Sequence, residues 1–123
     1  MSDPYSDLGA QDEALQERIA AAMEARCLEP AQVAIRKAYL KNLSVPDGGK
    51  ALELGSGTGH VTRDLLEASG ATSVLGIEPS PVMVARAKKS FGSDDRLRVE
   101  AGDAKHTGLQ DGSFDLILMQ SLL

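Results

Sequence analysis

The stretch "ALELGSGTGHVTRDLL", residues 51–66, sets three glycines in five positions between an apolar run and a helix-like run. Gly55, Gly57 and Gly59 fall where a strand hands over to a helix. Glycine there lets the chain turn sharply and lets a ligand come against the backbone with no Cβ in the way. The start of a helix also supplies N–H groups that have no intrahelical acceptor, and in open α/β sheets the carboxyl ends of the strands are where ligands bind.

Spacing separates the candidate ligands. A phosphate-binding P-loop needs G-x-x-x-x-G-K-[ST], but after Gly55 the matching positions hold His60 and Val61, so the lysine is absent. The dinucleotide fingerprint G-x-G-x-x-G/A needs Gly or Ala where His60 stands, which leaves a nicotinamide dinucleotide as runner-up. What remains is an acidic residue, Glu53, followed by G-x-G-x-G.

Working outward, "KALEL" (50–54) reads as a strand, "HVTRDLLEAS" (60–69) as a helix and "TSVLGIE" (72–78) as a strand. "PVMVARAKKS" (81–90) reads as a helix with Ser80 as N-cap and Pro81 at its first position. "RLRVEA" (96–101) and "FDLILMQ" (114–120) read as two more strands, joined by the polar connection "GDAKHTGLQDGS". Strands alternating with helices at this spacing predict βαβ units and a parallel sheet. Upstream, Leu15, Ile19, Ala22 and Met23 line one face of a helix running from Asp12 to near Cys27, and a second helix starts at Glu29-Pro30 and runs to Leu43, where "SVPDGG" stops it. Residues 1–10 read as a flexible lead-in, with Tyr5 in it as a candidate lid.

The chain of 123 residues fits one domain. A net charge of -5 without a basic cluster argues against a nucleic-acid surface. Cys27, the only cysteine, excludes an internal disulfide and a cysteine-rich zinc site, and reads as a small apolar filler in a helix. No window approaches a membrane span, and the acidic N-terminus is unlike a signal peptide, so a cytoplasmic protein without a membrane partner is expected. No metal site is expected.

Glu53, Gly55, Gly57 and Gly59 together resemble motif I of the class I S-adenosylmethionine-dependent methyltransferases, most closely the ubiquinone-type and "type 11" small-molecule branch. The resemblance runs from about residue 47 to the last residue, and the two leading helices are similar to that branch's N-terminal extension. It implies an α/β, Rossmann-like three-layer fold with a partial parallel sheet in the order 3-2-1-4. Residues 1–46 would be the helical extension and 47–123 an S-adenosylmethionine-binding half-domain without the later strands. By resemblance, Glu53 faces the methionine amino end of the donor and Glu78 accepts hydrogen bonds from the ribose hydroxyls. Asp103 meets the adenine amino group, the N–H of Ala104 meets a ring nitrogen, and Met83 touches the ring. Ser56, Thr58, Pro79 and Gln120 complete the cofactor-contacting set. An acidic strand end such as Glu78 also serves dinucleotide folds, so it does not choose between them.

The resemblance implies methyl transfer to a small organic acceptor, with no catalytic residue assigned. Met119 to Leu122 depart from the Asp/Asn-Pro-Pro-aromatic pattern of members that methylate planar nitrogens. His60 and His106 show no paired carboxylate in the sequence and are left without a role. The family's complete sheet has seven strands, whereas the sequence reaches the fourth. A fragment is therefore expected, with helices covering chiefly one face, most of the acceptor pocket missing, and an open apolar edge at the fourth strand through which copies can associate. Alternatives of other classes are a non-catalytic adenosine-ligand or interaction module and a nicotinamide-dinucleotide domain.

Overall fold

A computed structural model describes residues 4–103 and 113–119, with side chains from residue 12 onward. Four helices and four strands follow in the order α1 (Pro4–Cys27), α2 (Pro30–Leu40), β1 (Lys50–Leu54), α3 (His60–Ser69), β2 (Ser73–Glu78), α4 (Pro81–Phe91), β3 (Leu97–Ala101) and β4 (Leu116–Met119). The strands form one sheet in the order β3-β2-β1-β4, every pairing parallel. This is the α/β architecture and strand order that the sequence implied.

Register fixes which side chains share a face. Ala51 and Glu53 align with Val74 and Gly76, these with Leu97 and Val99, and on the other side with Leu116 and Leu118. The apolar members of this row pack with Leu40 of α2, Leu65 and Leu66 of α3, and Val84 and Ala87 of α4 into one core. Burying these aliphatic side chains contributes roughly 1.5–3 kcal/mol each. The opposite row holds Leu52, Leu54, Leu75, Ile77, Ile117 and Met119. Among the described residues Ile117 and Met119 stay 58% and 69% exposed, in line with helices that cover chiefly one face.

The local signals act as expected in α4. The Ser80 hydroxyl accepts the Met83 N–H at 3.3 Å as an N-cap, and Pro81 stands at the start, where its missing N–H costs nothing. Two boundaries differ from the sequence reading. The segment expected to be a flexible lead-in is helical from Pro4, so Tyr5 belongs to α1 and not to a loose lid. The second helix stops at Leu40, three residues early, because the N–H groups of Asn42 and Leu43 turn back to Tyr39 and Leu40.

The apolar face read for α1 is buried only in part, with Leu15 and Ile19 exposed and Ala20 buried, so polar contacts add to its hold. Glu17 and Glu24 pair with Arg86 of α4 at 3.2 and 3.3 Å, and Gln16 accepts from Ser80. At the far end of α1, Arg36 of α2 joins three helices. Its Nε donates to Asp64 of α3 at 2.8 Å, and its Nη1 donates to the carbonyl of Cys27 at 3.0 Å. That carbonyl is one of those a helix C-terminus leaves unpaired.

Candidate functional site

The loop from Gly55 to Gly59 turns through three positive φ values, 77° at Gly55, 57° at Gly57 and 91° at Gly59. Any side chain there would be strained. At Gly59 a Cβ would also lie 2.9 Å from Cδ2 of Phe91, whereas at Gly55 it would meet nothing within 4 Å. Gly59 thus serves the packing of α3 on α4 as well as the turn, and Gly55 serves the turn alone. Gly59 is the N-cap of α3 and brings no capping side chain, so the helix start faces the loop's concavity bare.

One acidic residue of the sheet grips this loop, and a second lies buried beside it. The N–H groups of Gly55 and Ser56 donate to the carbonyl of Ile77. One residue further along β2, Glu78 accepts the Gly57 N–H on Oε1 at 2.9 Å and the Ser80 N–H on Oε2 at 2.8 Å. Its carboxylate therefore fixes the loop's shape. Glu53 lies deeper, 1% exposed, and among the described residues accepts only the Thr62 hydroxyl, at 2.5 Å. Burial raises its pKa to about 8, against the lowering pull of the Thr62 hydrogen bond and of Arg36.

Beside the loop lies a cavity of about 290 Å³, near the lower end for small-molecule sites. Glu53, Gly55, Ser56, Gly57, Thr58 and Met83 line it, with His60 and Val61 of α3 and Met23, Arg26, Cys27, Gln32 and Arg36 from the leading helices. Six of the residues expected from the sequence therefore meet in one cavity. Gly59 and Glu78 support the loop from outside the cavity wall, and Pro79 and Asp103 stand at the ends of β2 and β3. Ala104, Gln120 and His106 lie outside the described residues.

The structure also corrects two sequence readings. Cys27 is a half-buried thiol on the cavity wall that accepts from Arg36 Nη1 at 3.3 Å, and burial pushes its pKa up. His60 does have a carboxylate partner, for its Nε2 lies 3.3 Å from Glu24 of α1, and its ring meets Phe91 edge-on at 5.1 Å. Two functional positions were missed. Thr62 supplies a hydrogen bond to the buried Glu53, and Gly76 leaves room for Ser56, whose Cβ and Oγ would sit 2.6 and 2.7 Å from an added Cβ. A glycine inside the strand "SVLGIE" is the signal for such a close approach.

A parallel sheet with a bare helix start, a glycine loop and two buried acids at the strand ends defines a ligand-binding α/β domain of the nucleotide-recognising kind. A family model described as a methyltransferase domain matches residues 51–123, and the chain belongs to that family. It is 36% identical over 83 residues to a demethylmenaquinone methyltransferase of Staphylococcus aureus, covering 67% of this chain and 34% of that protein. An S-adenosylmethionine-dependent methyltransferase from Mesorhizobium loti superposes with a TM-score of 0.56 at 32% identity, over 67% of this chain and 37% of that one. A second such enzyme, from Aquifex aeolicus, shares the fold with a TM-score of 0.67 at 20% identity, over 81% and 55%. The chain thus spans about a third of the length of the curated demethylmenaquinone methyltransferase it matches.

Proposed function

We propose that this chain binds S-adenosylmethionine in the cavity beside the β1–α3 loop and serves methyl transfer from it to a small organic acceptor. The observation that carries the reading is a cavity lined by Glu53 together with the loop that Glu78 braces, with a bare backbone where a ligand must come close. The sealed Glu53 carboxyl suits the donor's amino end, and Glu78, an acid with two oxygens at the end of β2, would suit a diol. In the transfer the acceptor's lone pair forms a bond to the sulfonium methyl carbon while the C–S pair returns to sulfur as a neutral thioether. Orientation and exclusion of water supply much of the rate, so the residues here act by holding the donor.

The similarity to a demethylmenaquinone methyltransferase supports a small organic acceptor, as does the acidic net charge of -5, which disfavours a nucleic acid. Residues 1–46 would act as the extension that walls the cavity through Met23, Arg26, Cys27, Gln32 and Arg36. Asp103, Ala104 and Gln120 would complete the adenine side. No described helix is long and apolar enough to cross a membrane, and a cytoplasmic setting would keep Cys27 a free thiol. Among the described residues β4 pairs only with β1, and its outer edge offers a place for two copies to associate.

Titration calorimetry tests the reading. S-adenosylhomocysteine should bind saturably and NADH should not. Glu78→Ala should weaken S-adenosylhomocysteine by about 1–3 kcal/mol, the scale of losing charged hydrogen bonds. Tight NADH binding with no response to S-adenosylhomocysteine would overturn it in favour of a dinucleotide domain.

A further inference from the structure

β3 ends the sheet on the side away from β4, and among the described residues no strand pairs with its outer edge. The ladder on its inner side decides which backbone groups that edge presents. The Val74 N–H donates to the Arg96 carbonyl at 2.8 Å, and the Gly102 N–H donates to the Glu78 carbonyl at 3.1 Å. Such bonds recur at every second residue of a parallel pair, so Arg98 and Glu100 also turn their peptide groups to β2. Leu97, Val99 and Ala101 turn theirs outward. The Leu97 N–H is taken by the Asp94 carbonyl, which leaves the Leu97 carbonyl and both peptide groups of Val99 and Ala101 for a further strand. The side chains alternate too. Leu97 and Val99 face α4 in the core, and a cavity of about 530 Å³, walled also by Ala87 and Phe91, runs beside them along the edge. Arg98 and Glu100 stand on the other face, where they pair with each other and stay 72% and 43% exposed.

We propose that this edge pairs with the same edge of a second copy, antiparallel about a two-fold axis at Val99, so that two sheets become one. In that register the two Val99 residues exchange both of their backbone hydrogen bonds, and the Ala101 N–H of each copy donates to the Leu97 carbonyl of the other. Arg98 of each copy then lies directly across from Glu100 of the other, and opposite charges so placed stabilise a strand pair. Neighbouring registers fail. A slip of one residue sets outward peptide groups against inward ones and turns the side chains to the wrong face. A slip of two restores the backbone bonds but opposes Arg98 to Arg98 or Glu100 to Glu100, which is unfavourable. On the α4 face the second strand brings Val99 and Ala101 to the cavity beside Phe91. The contact is self-complementary and closes at two copies. Its antiparallel sense points the strands' carboxyl ends in opposite directions, so each cavity beside the β1–α3 loop stays open, and the pairing does not depend on what that cavity binds.

Sedimentation velocity of the full chain over roughly 5–200 μM should show a monomer–dimer equilibrium. Arg98→Glu and Glu100→Arg each turn both opposed pairs into like charges, and each should raise the dimer dissociation constant by about tenfold. An equimolar mixture of the two variants should associate as the wild type does, because each copy again meets the opposite charge on the other. Arg98→Glu combined with Glu100→Arg in one chain should do so as well. Ala101→Pro removes an outward N–H and no bond to β2, and should leave a folded monomer, with circular dichroism unchanged. A wild-type chain that stays monomeric over this range overturns the proposal. So does a mixture no tighter than its components, which would confine the Arg98–Glu100 pair to a role within one chain. Association that persists undiminished in both single charge variants also overturns it and assigns the contact to another surface.

Discussion

Two glycines of the loop share a left-handed backbone but differ in what surrounds them. Gly55 has open space where a Cβ would go, and Gly59 has the Phe91 ring at 2.9 Å. Gly55→Ala should therefore cost only the conformational strain, about 1–2 kcal/mol. Gly59→Ala adds a clash with the Phe91 ring and crowding against Ala87 of α4, and should cost about 1 kcal/mol more than Gly55→Ala. Urea unfolding of the two variants checks the order, and an equal loss would mean that Gly59 has no packing role. Glu78 makes the same point for side chains: the sequence marks it as an acidic strand end, while its bonds to the Gly57 and Ser80 N–H groups also make it a brace of the loop.

At the scale of elements, α1 and α2 form part of the site because Arg36 fastens them to α3. Its side chain is 6% exposed and that of Asp64 13%, so the pair sits largely out of water. Removing one partner of such a pair leaves the other uncompensated, and Arg36→Met should destabilise the fold by about 3 kcal/mol. Adding Asp64→Leu should return part of that loss, and the double variant's unfolding midpoint decides it; a double variant no better than the single one would mean that Asp64 gains nothing from Arg36. The strands, α3 and α4 were legible because alternation, the Ser80-Pro81 cap and the glycine turn are local signals. The first turns of α1 were not, because Pro4, Ser6, Asp7 and Gly9 are turn-type residues with little apolar periodicity between them. Of the site, the loop and both acids could be read directly. The link from Thr62 to Glu53, the space Gly76 gives Ser56 and the Glu24–His60 contact join distant parts of the chain, and spacing alone does not express them.

For the whole molecule, the buried acid ties stability to pH. Between the ordinary 4.5 and about 8, native Glu53 keeps a proton that the unfolded chain has lost. Because the native state binds more protons in that window, its stability falls as pH rises through it and levels off above. Asp94, whose pKa its Arg96 hydrogen bonds lower, acts in the opposite sense but below pH 3.8. Thermal unfolding of the ligand-free chain should therefore show a higher midpoint at pH 5.5 than at pH 8, with the difference reduced in Glu53→Gln; a wild-type midpoint that rises over this range would be inconsistent with a protonated Glu53. The same sheet, cavity and acids are what the central claim needs, namely that the β1–α3 loop is where an adenosyl thioether is held. Its most direct measurement is the amide spectrum of the labelled chain titrated with S-adenosylhomocysteine. The account predicts saturable shifts at Ser56, Gly57, Thr58 and Gly59 with a common affinity. Saturable binding that leaves these amides unmoved would contradict it.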